Sequence, residues 1–209
     1  MRDPLGAAGR VLGRAGLVLL NHLPVPLALA RLPMLGENAI ENARGGWSRL
    51  RHESEAGRYR AVRAAVQRHA PGGFVLDVGC SQAILQEGLT YRRYVGVDRY
   101  APALGRARGL GQANTEFVSA DATTFVPDEP PDAVVFNEVL YYLPHPVRVV
   151  ERYARLLSPS GVVVVSCYAR TWPTRRLLRR LGRSLAVVES VEIVAEPHAW
   201  RVAVLRRRS

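Results

Sequence analysis

Short apolar runs alternate with segments of helical periodicity from residue 74 onward. The runs have strand length, and most are followed by a stretch whose apolar positions recur at helical spacing. Because parallel strands need long crossover connections that are usually helical, this alternation predicts an open, doubly wound α/β sheet. The predicted strands of this part are Phe74–Val78, Tyr94–Val97, Glu116–Ser119, Ala133–Phe136 and Val162–Cys167, and a helix is predicted over Val147–Leu157.

Two further β-rich runs end the chain, at Leu185–Val194 and Trp200–Leu205. They are short and adjacent, and no helix separates them, which predicts an antiparallel hairpin at the edge of the sheet. The whole pattern therefore predicts seven strands, mostly parallel, with an antiparallel C-terminal edge hairpin.

The first 70 residues predict an N-terminal helical extension or cap in front of a core at 71–209. Ser54–His69 predicts a helix that leads into the first strand. Trp47 and Tyr59 are expected in a lid over a ligand or, as is commoner for aromatic residues on helices, in the core. Residues 1–35 hold apolar runs broken by polar residues and prolines, and their 16-residue uncharged span is shorter than the ~20 residues of a membrane-spanning helix. A weak helix that docks on its own domain or on a membrane surface is expected there.

The net charge of +11 is unevenly distributed. Residues 1–70 hold 11 Arg against 5 acids, residues 71–169 hold 8 against 10, and residues 170–209 hold 10 against 3. The predicted core is thus slightly acidic, which suits a cationic ligand, and a nucleic-acid partner is not favoured by the overall charge alone. Cys80 and Cys167 have neither metal-site nor redox spacing, so both are expected to be reduced and no metal site is expected.

The stretch around Asp77-Val-Gly79 predicts a strand, a tight turn and a helix that resumes at Ile84. Such a turn directs loop N–H groups toward a ligand at the carboxyl end of the strand. A dinucleotide-binding fingerprint would need glycines at the first, third and sixth loop positions, which here hold Gly79, Ser81 and Ile84. The pattern therefore excludes a dehydrogenase of that type.

The acid two residues before a glycine, followed by small Ser81 and Ala83, resembles the first motif of the class I S-adenosylmethionine-dependent methyltransferases. The resemblance covers roughly residues 72–209 and implies a Rossmann-like fold and S-adenosyl-L-methionine as cofactor, with Asp77, Gly79, Cys80 and Ser81 at its methionine end. Only one of the family's usual three glycines is present. If positive φ is required at Ser81 or Ala83, the Cβ costs roughly 1 kcal/mol or more.

Two later strand ends carry acids that fit the same ligand. Asp98 follows Asp77 by 21 residues, the spacing at which doubly wound folds present a carboxylate to ribose hydroxyls, and Arg99 is expected by the adenine edge. The resemblance implies that Asp121 and Ala122 contact the adenine. Asp121 is also in the right position simply to cap the turn before Phe125.

The loop after the fourth strand begins Asn137-Glu-Val-Leu-Tyr-Tyr-Leu, which looks like small-molecule and sugar methyltransferases, including the nodulation-factor N-methyltransferase subgroup. It lacks the Asn-Pro-Pro-Tyr signature of enzymes that methylate amino groups of nucleic acids. The resemblance places this loop at the transferred methyl group, with Asn137 beside the cofactor. Glu138, Tyr142 and His145 are the candidates for a general base toward a hydroxyl acceptor, although His145 fits an exposed loop residue equally well. An amine acceptor that binds deprotonated needs no strong base.

Arginines recur at helical spacing in the segment after the fifth strand, where a solvated helix face is expected and binding of an anionic substrate or headgroup is the alternative. Together, these features predict a cytoplasmic methyltransferase with peripheral membrane contact through its N-terminus, acting on an O or N of a small-molecule or glycan acceptor. Two other functions stay open, a binding module that keeps the fold without activity and an RNA methyltransferase that uses the basic flanks.

Overall fold

The computed structural model describes residues 48–109 and 113–208. Seven strands form one sheet within these ranges: β1 Phe74–Val78, β2 Arg93–Asp98, β3 Thr115–Ser119, β4 Ala133–Asn137, β5 Val162–Tyr168, β6 Ala186–Ala195 and β7 His198–Arg206. The helices are α1 Glu53–His69, α2 Ala101–Arg108, α3 Pro146–Leu156 and α4 Trp172–Ser184, with 3-10 turns at Ser48–Arg51, Ile84–Gln86 and Leu140–Tyr142.

The strand order is β3-β2-β1-β4-β5-β7-β6. Strands β1 to β5 are parallel to their neighbours, whereas β7 runs antiparallel to both β5 and β6. The predicted doubly wound sheet with its antiparallel C-terminal hairpin is therefore confirmed, and within the hairpin β6 takes the edge. Strand β2 is added on one side of β1 and β4 on the other, so the order of strands reverses at β1. A crevice therefore opens at the carboxyl ends of these strands.

The sheet is covered on both faces, which explains why its central strands are apolar without alternation. All five residues of β1 are buried. On one face, Val62 and Val66 of α1 belong to the same buried cluster as Val164 of β5. On the other face, Tyr153 of α3 and Leu181 of α4 are buried with residues of β4 and β5.

The predicted helix after the β1 turn is wrong. Only the 3-10 turn Ile84–Gln86 forms there, between left-handed Ala83 and extended Glu87. The side chain of Arg63 on α1 donates to the carbonyl oxygens of Ile84 and Leu85, with 3.1 Å from Nε to Leu85 O. These carbonyl groups therefore accept hydrogen bonds from the Arg63 side chain, which holds the turn against α1.

Residues 1–47 lie outside the described residues, and so do the predictions made for Trp47 and for membrane contact through the N-terminus. In the described ranges, no helix is long and apolar enough to cross a membrane.

Candidate active site

A cavity of about 480 Å³ opens at the carboxyl ends of β1, β2 and β4. Strand ends, the β4 loop and α1 all contribute to its walls. Eleven of the twelve residues predicted for the site line it: Asp77, Gly79, Cys80, Ser81, Asp98, Arg99, Asp121, Ala122, Asn137, Glu138 and Tyr142. The three acids predicted at strand ends, Asp77, Asp98 and Asp121, therefore line the same cavity.

Gly79 is needed at the turn after β1 for two reasons. Its φ of +78° is a left-handed conformation that side chains disfavour. A Cβ at this position would also collide with the side chain of Val139. The turn and the loop after β4 are therefore in close contact at this point.

Ser81 and Ala83 adopt the positive φ that the resemblance implied, at +49° and +56°. The loop keeps the backbone path that glycines would give, and the two Cβ atoms are strained in it. The backbone N–H of Ser81 donates to Asp98 Oδ2 across 2.9 Å, which fixes the loop to the end of β2.

Asp77 is 2% exposed and accepts a hydrogen bond from the hydroxyl of Tyr94 at 2.5 Å. Its pKa is raised to about 7, mainly because burial disfavours the charged form; the bond from Tyr94 opposes this rise and the nearby charge of Asp98 adds to it. Oδ1 of Asp77 has no hydrogen-bond partner among the described residues.

The other two acids are held by backbone groups. Besides the bond to Ser81, Asp98 accepts from the N–H of Tyr100 at 2.9 Å. Oδ1 of Asp121 accepts from both the N–H and the hydroxyl of Thr123 at 2.7 Å, and these bonds lower the pKa of Asp121. Asp121 thus caps its turn, as the alternative prediction proposed, and lines the cavity as well.

Glu138 stands in the β4 loop with φ of +60°. Oε1 accepts from the hydroxyl of Ser166 at 3.0 Å, and Oε2 accepts from that of Tyr141 at 3.3 Å. Burial raises the pKa of Glu138 to about 7, and the charge of Arg58 and the bond from Ser166 limit that rise. The carboxyl group is thereby set to change protonation near neutral pH.

Arg58 of α1 is a cavity residue that was not among the predicted site residues. It is 1% exposed, pairs with Glu55 Oε2 at 2.7 Å, and donates through Nη1 to Asn137 Oδ1. Its guanidinium also stacks 4.4 Å from the ring centroid of Tyr59, which lines the cavity too. The sequence carries a signal for it, because Arg58 falls on the same helix face as buried Val62, where a charged residue is unusual.

His145 is exposed, precedes α3 with φ of +48°, and does not line the cavity. It lies between Pro144, which does line the cavity, and Pro146, the first residue of α3. The geometry agrees with the exposed-loop alternative, and Glu138 and Tyr142 are the predicted bases that line the cavity.

The residues present fit a cationic nucleoside cofactor. Three buried side-chain polar atoms lack a hydrogen-bond partner among the described residues, and two of them, Asp77 Oδ1 and Ser81 Oγ, belong to cavity residues. Unpaired buried acceptors are costly, which favours a ligand that supplies donors or positive charge.

Comparison with known proteins gives the same assignment. A family profile described as a methyltransferase domain matches residues 50–206. Trans-aconitate 2-methyltransferase of Methylobacterium radiotolerans is 31% identical over 172 residues, which cover 69% of this chain and 65% of that protein. Ubiquinone biosynthesis O-methyltransferase of an Azoarcus species is 34% identical over 109 residues, covering 48% and 46%. The chain thus spans only about half to two-thirds of the length of these relatives.

Solved structures share the fold. The N-methyltransferase NodS of Bradyrhizobium japonicum in complex with S-adenosyl-L-homocysteine superposes with a TM-score of 0.71 at 22% identity, covering 83% of this chain and 98% of NodS. The 1,6-didemethyltoxoflavin-N1-methyltransferase of Burkholderia thailandensis gives 0.70 at 17% identity, covering 90% and 92%. With the profile match over three-quarters of its length, the chain belongs to the class I S-adenosylmethionine-dependent methyltransferases.

Proposed function

We propose that this protein transfers a methyl group from S-adenosyl-L-methionine to an oxygen or nitrogen of a small-molecule acceptor, a class that includes glycans. One observation carries the proposal: acids from the ends of β1 and β2 and the polar β4 loop line the same cavity. The relatives support both acceptor atoms, since one is named an O-methyltransferase and the structural neighbours are named N-methyltransferases.

The cavity residues divide into three groups along the expected cofactor. Asp77, Gly79 and Ser81 would hold its methionine end, and the carboxylate of Asp98 would face the ribose hydroxyls. The adenine end falls to a third set, Arg99, Asp121 and Ala122. When bound, S-adenosyl-L-methionine supplies an electrophilic methyl group on a cationic sulfur.

Glu138 is the proposed general base for a hydroxyl acceptor. A base works best when its pKa lies near the working pH, and burial raises the pKa of Glu138 to about 7. One carboxylate oxygen would take the acceptor proton, while the hydroxyls of Ser166 and Tyr141 donate to the ionised form. Tyr142 would form a wall of the acceptor end.

Arg58 is the proposed positioning residue for this end of the cavity. Its bond to Asn137 fixes the residue before Glu138, and its charge favours the ionised form of the Glu138 carboxyl. Leu50, Arg58 and Tyr59 come from the segment before β1 and line the cavity. These contacts support residues 1–70 as a cap that completes the site.

Calorimetric titration of the full chain with S-adenosyl-L-methionine and with S-adenosyl-L-homocysteine tests the cofactor assignment. We expect saturable binding that weakens about tenfold or more in Asp98→Asn, because a charge-assisted hydrogen bond is lost. Glu116→Gln is the matched control, since Glu116 is an exposed β3 acid outside the cavity. Folded protein that binds neither compound would leave only a binding module with this fold.

Acceptor class is then tested by formation of S-adenosyl-L-homocysteine with panels of carboxylic acids, phenols and amino sugars. Turnover with a small molecule supports the proposal. Turnover only with RNA, at a defined nucleotide and in a salt-sensitive manner, would replace it by the RNA methyltransferase function.

A further inference from the structure

The outer face of α4 carries five arginines. Arg175, Arg176, Arg179, Arg180 and Arg183 are all exposed, and none forms an ion pair with another described residue. The opposite side of α4 packs on the domain, since Leu177 and Leu181 are buried. What remains outside is a cationic stripe, which we call the α4 arginine face.

This arrangement is unfavourable for the free helix. Arg175 and Arg179 are four residues apart, as are Arg176 and Arg180, so like charges face one another along the helix. Arg175 and Arg176 lie near the helix N-terminus, where the helix dipole is positive, and the first turn has no acidic residue. All 29 basic residues of the chain are Arg and none is Lys, which explains why these residues are Arg but not why acids are absent among them.

A space of about 330 Å³ lies between these side chains, lined by Trp172, Arg176, Arg179, Arg180 and Arg183. The guanidinium of Arg176 stacks 5.2 Å from the Trp172 ring centroid, so one wall of the space is aromatic. Bidentate guanidinium groups are suited to phosphate. The space therefore fits a phosphate-bearing group.

Beside this face, the edge strand β6 exposes valines. Val187 and Val188 are 50% and 44% exposed. Val187 is close to α4, since a methyl group built on Gly182 would lie 3.3 Å from it. A basic stripe with an aromatic end and an apolar border matches the interface of an anionic lipid layer, where arginines meet phosphates and tryptophan lies at the headgroup level. Nucleic acid would find no stacking platform or polar groove in the valines.

We propose that the α4 arginine face, with Val187 at its border, docks the protein on an anionic phospholipid surface. Because α4 follows the carboxyl end of β5, its Trp172 end begins at the same edge of the sheet as the cavity. A docked protein therefore holds the mouth of the cavity near the lipid.

Co-sedimentation of the full chain with vesicles tests the proposal. Probes are phosphatidylcholine vesicles with and without about one-third phosphatidylglycerol at low salt. We expect binding only to the anionic vesicles, and a loss of about 25-fold in Arg179→Gln/Arg180→Gln, as each arginine near the surface contributes roughly fivefold. The control Arg60→Gln/Arg155→Gln removes two exposed arginines elsewhere that form no ion pair within residues 48–109 and 113–208, and it is expected to bind like the parent protein.

A second variant separates lipid from nucleic acid. Val187→Ser keeps every charge, so it weakens vesicle binding and leaves capture of single-stranded RNA unchanged. Equal binding to neutral and anionic vesicles, equal losses in both arginine double variants, or RNA capture by the α4 arginine face without vesicle binding would each overturn the proposal.

Discussion

Replacing Ser81 by glycine is expected to stabilise the free protein although it removes a side chain from the cavity wall. Ser81 has φ of +49°, a conformation in which an L residue is strained and glycine is not. Its hydroxyl oxygen is buried and has no partner among the described residues. The bond from its N–H to Asp98 uses only backbone and would survive the change.

The size of the effect follows from comparing glycine with alanine at this position. Both variants lose the unpaired hydroxyl, so their difference isolates the backbone. Left-handed strain costs about 1–2 kcal/mol, and the extra freedom of glycine in the unfolded chain returns about 0.4–1 kcal/mol. The glycine variant is therefore expected to be more stable than Ser81→Ala by about 0.8 kcal/mol, or about 2–3 °C in Tm for a chain of this length.

Thermal and urea unfolding of the ligand-free protein, Ser81→Gly and Ser81→Ala measure this difference. A matched pair away from the turn, Ser190→Gly and Ser190→Ala, gives the opposite order, because Ser190 lies in β6, where glycine is unfavourable. A Ser81→Gly variant no more stable than Ser81→Ala would refute the claim that the loop stores backbone strain.

Three further predictions concern the two halves of the cavity. In an assay with a hydroxyl acceptor, kcat is expected to rise with pH through about 7 as Glu138 ionises. Arg58→Met is expected to move this rise by about one pH unit toward higher pH, because the positive charge that favours the ionised carboxyl is lost. An unchanged pH profile would exclude Arg58 as the positioning residue. Gly79→Ala lowers the free energy of unfolding by several kcal/mol through strain and contact with Val139, and an unchanged urea midpoint contradicts it. Because the pKa of Asp77 is raised in the folded protein, the protonated carboxyl stabilises the fold, so the free energy of unfolding falls as pH rises from about 4 to about 7. Asp77→Asn is expected to flatten this pH dependence. Equal slopes in the variant and the parent protein would contradict this prediction.

Most of the fold could be predicted from sequence because its signals are local. Parallel strands buried on both faces leave continuous apolar runs, as in β5, and the predicted strand limits differ from the observed ones by only one or two residues. The missing helix after β1 shows where this reasoning stops. Its residues have helical spacing, but Ala83 enters with positive φ and the side chain of Arg63, about twenty residues earlier, takes the carbonyl groups.

The candidate site also contains residues that the sequence predicted and residues that it did not. Asp77, Asp98 and Asp121 were predictable because strand ends converge on one edge whatever the rest of the chain does. Arg58 was missed although its place on the apolar face of α1 was a signal, because the contact with Asn137, 79 residues away, that gives it a role is not visible in the local pattern. His145 was included because its residue type suits acid–base chemistry, and only the structure shows that it is exposed and does not line the cavity.

The short turn after β1 has a consequence for the release of the spent cofactor, S-adenosyl-L-homocysteine. A full helix at this point would aim the positive end of its dipole at the ligand, whereas three residues of 3-10 turn provide almost none. In the proposed arrangement, Asp77 is the acid at the methionine end of the cofactor, which carries the sulfur. Methyl transfer turns a sulfonium into an uncharged thioether, so the spent cofactor loses the positive charge that this carboxylate attracts, and we expect it to leave more readily than the fresh one.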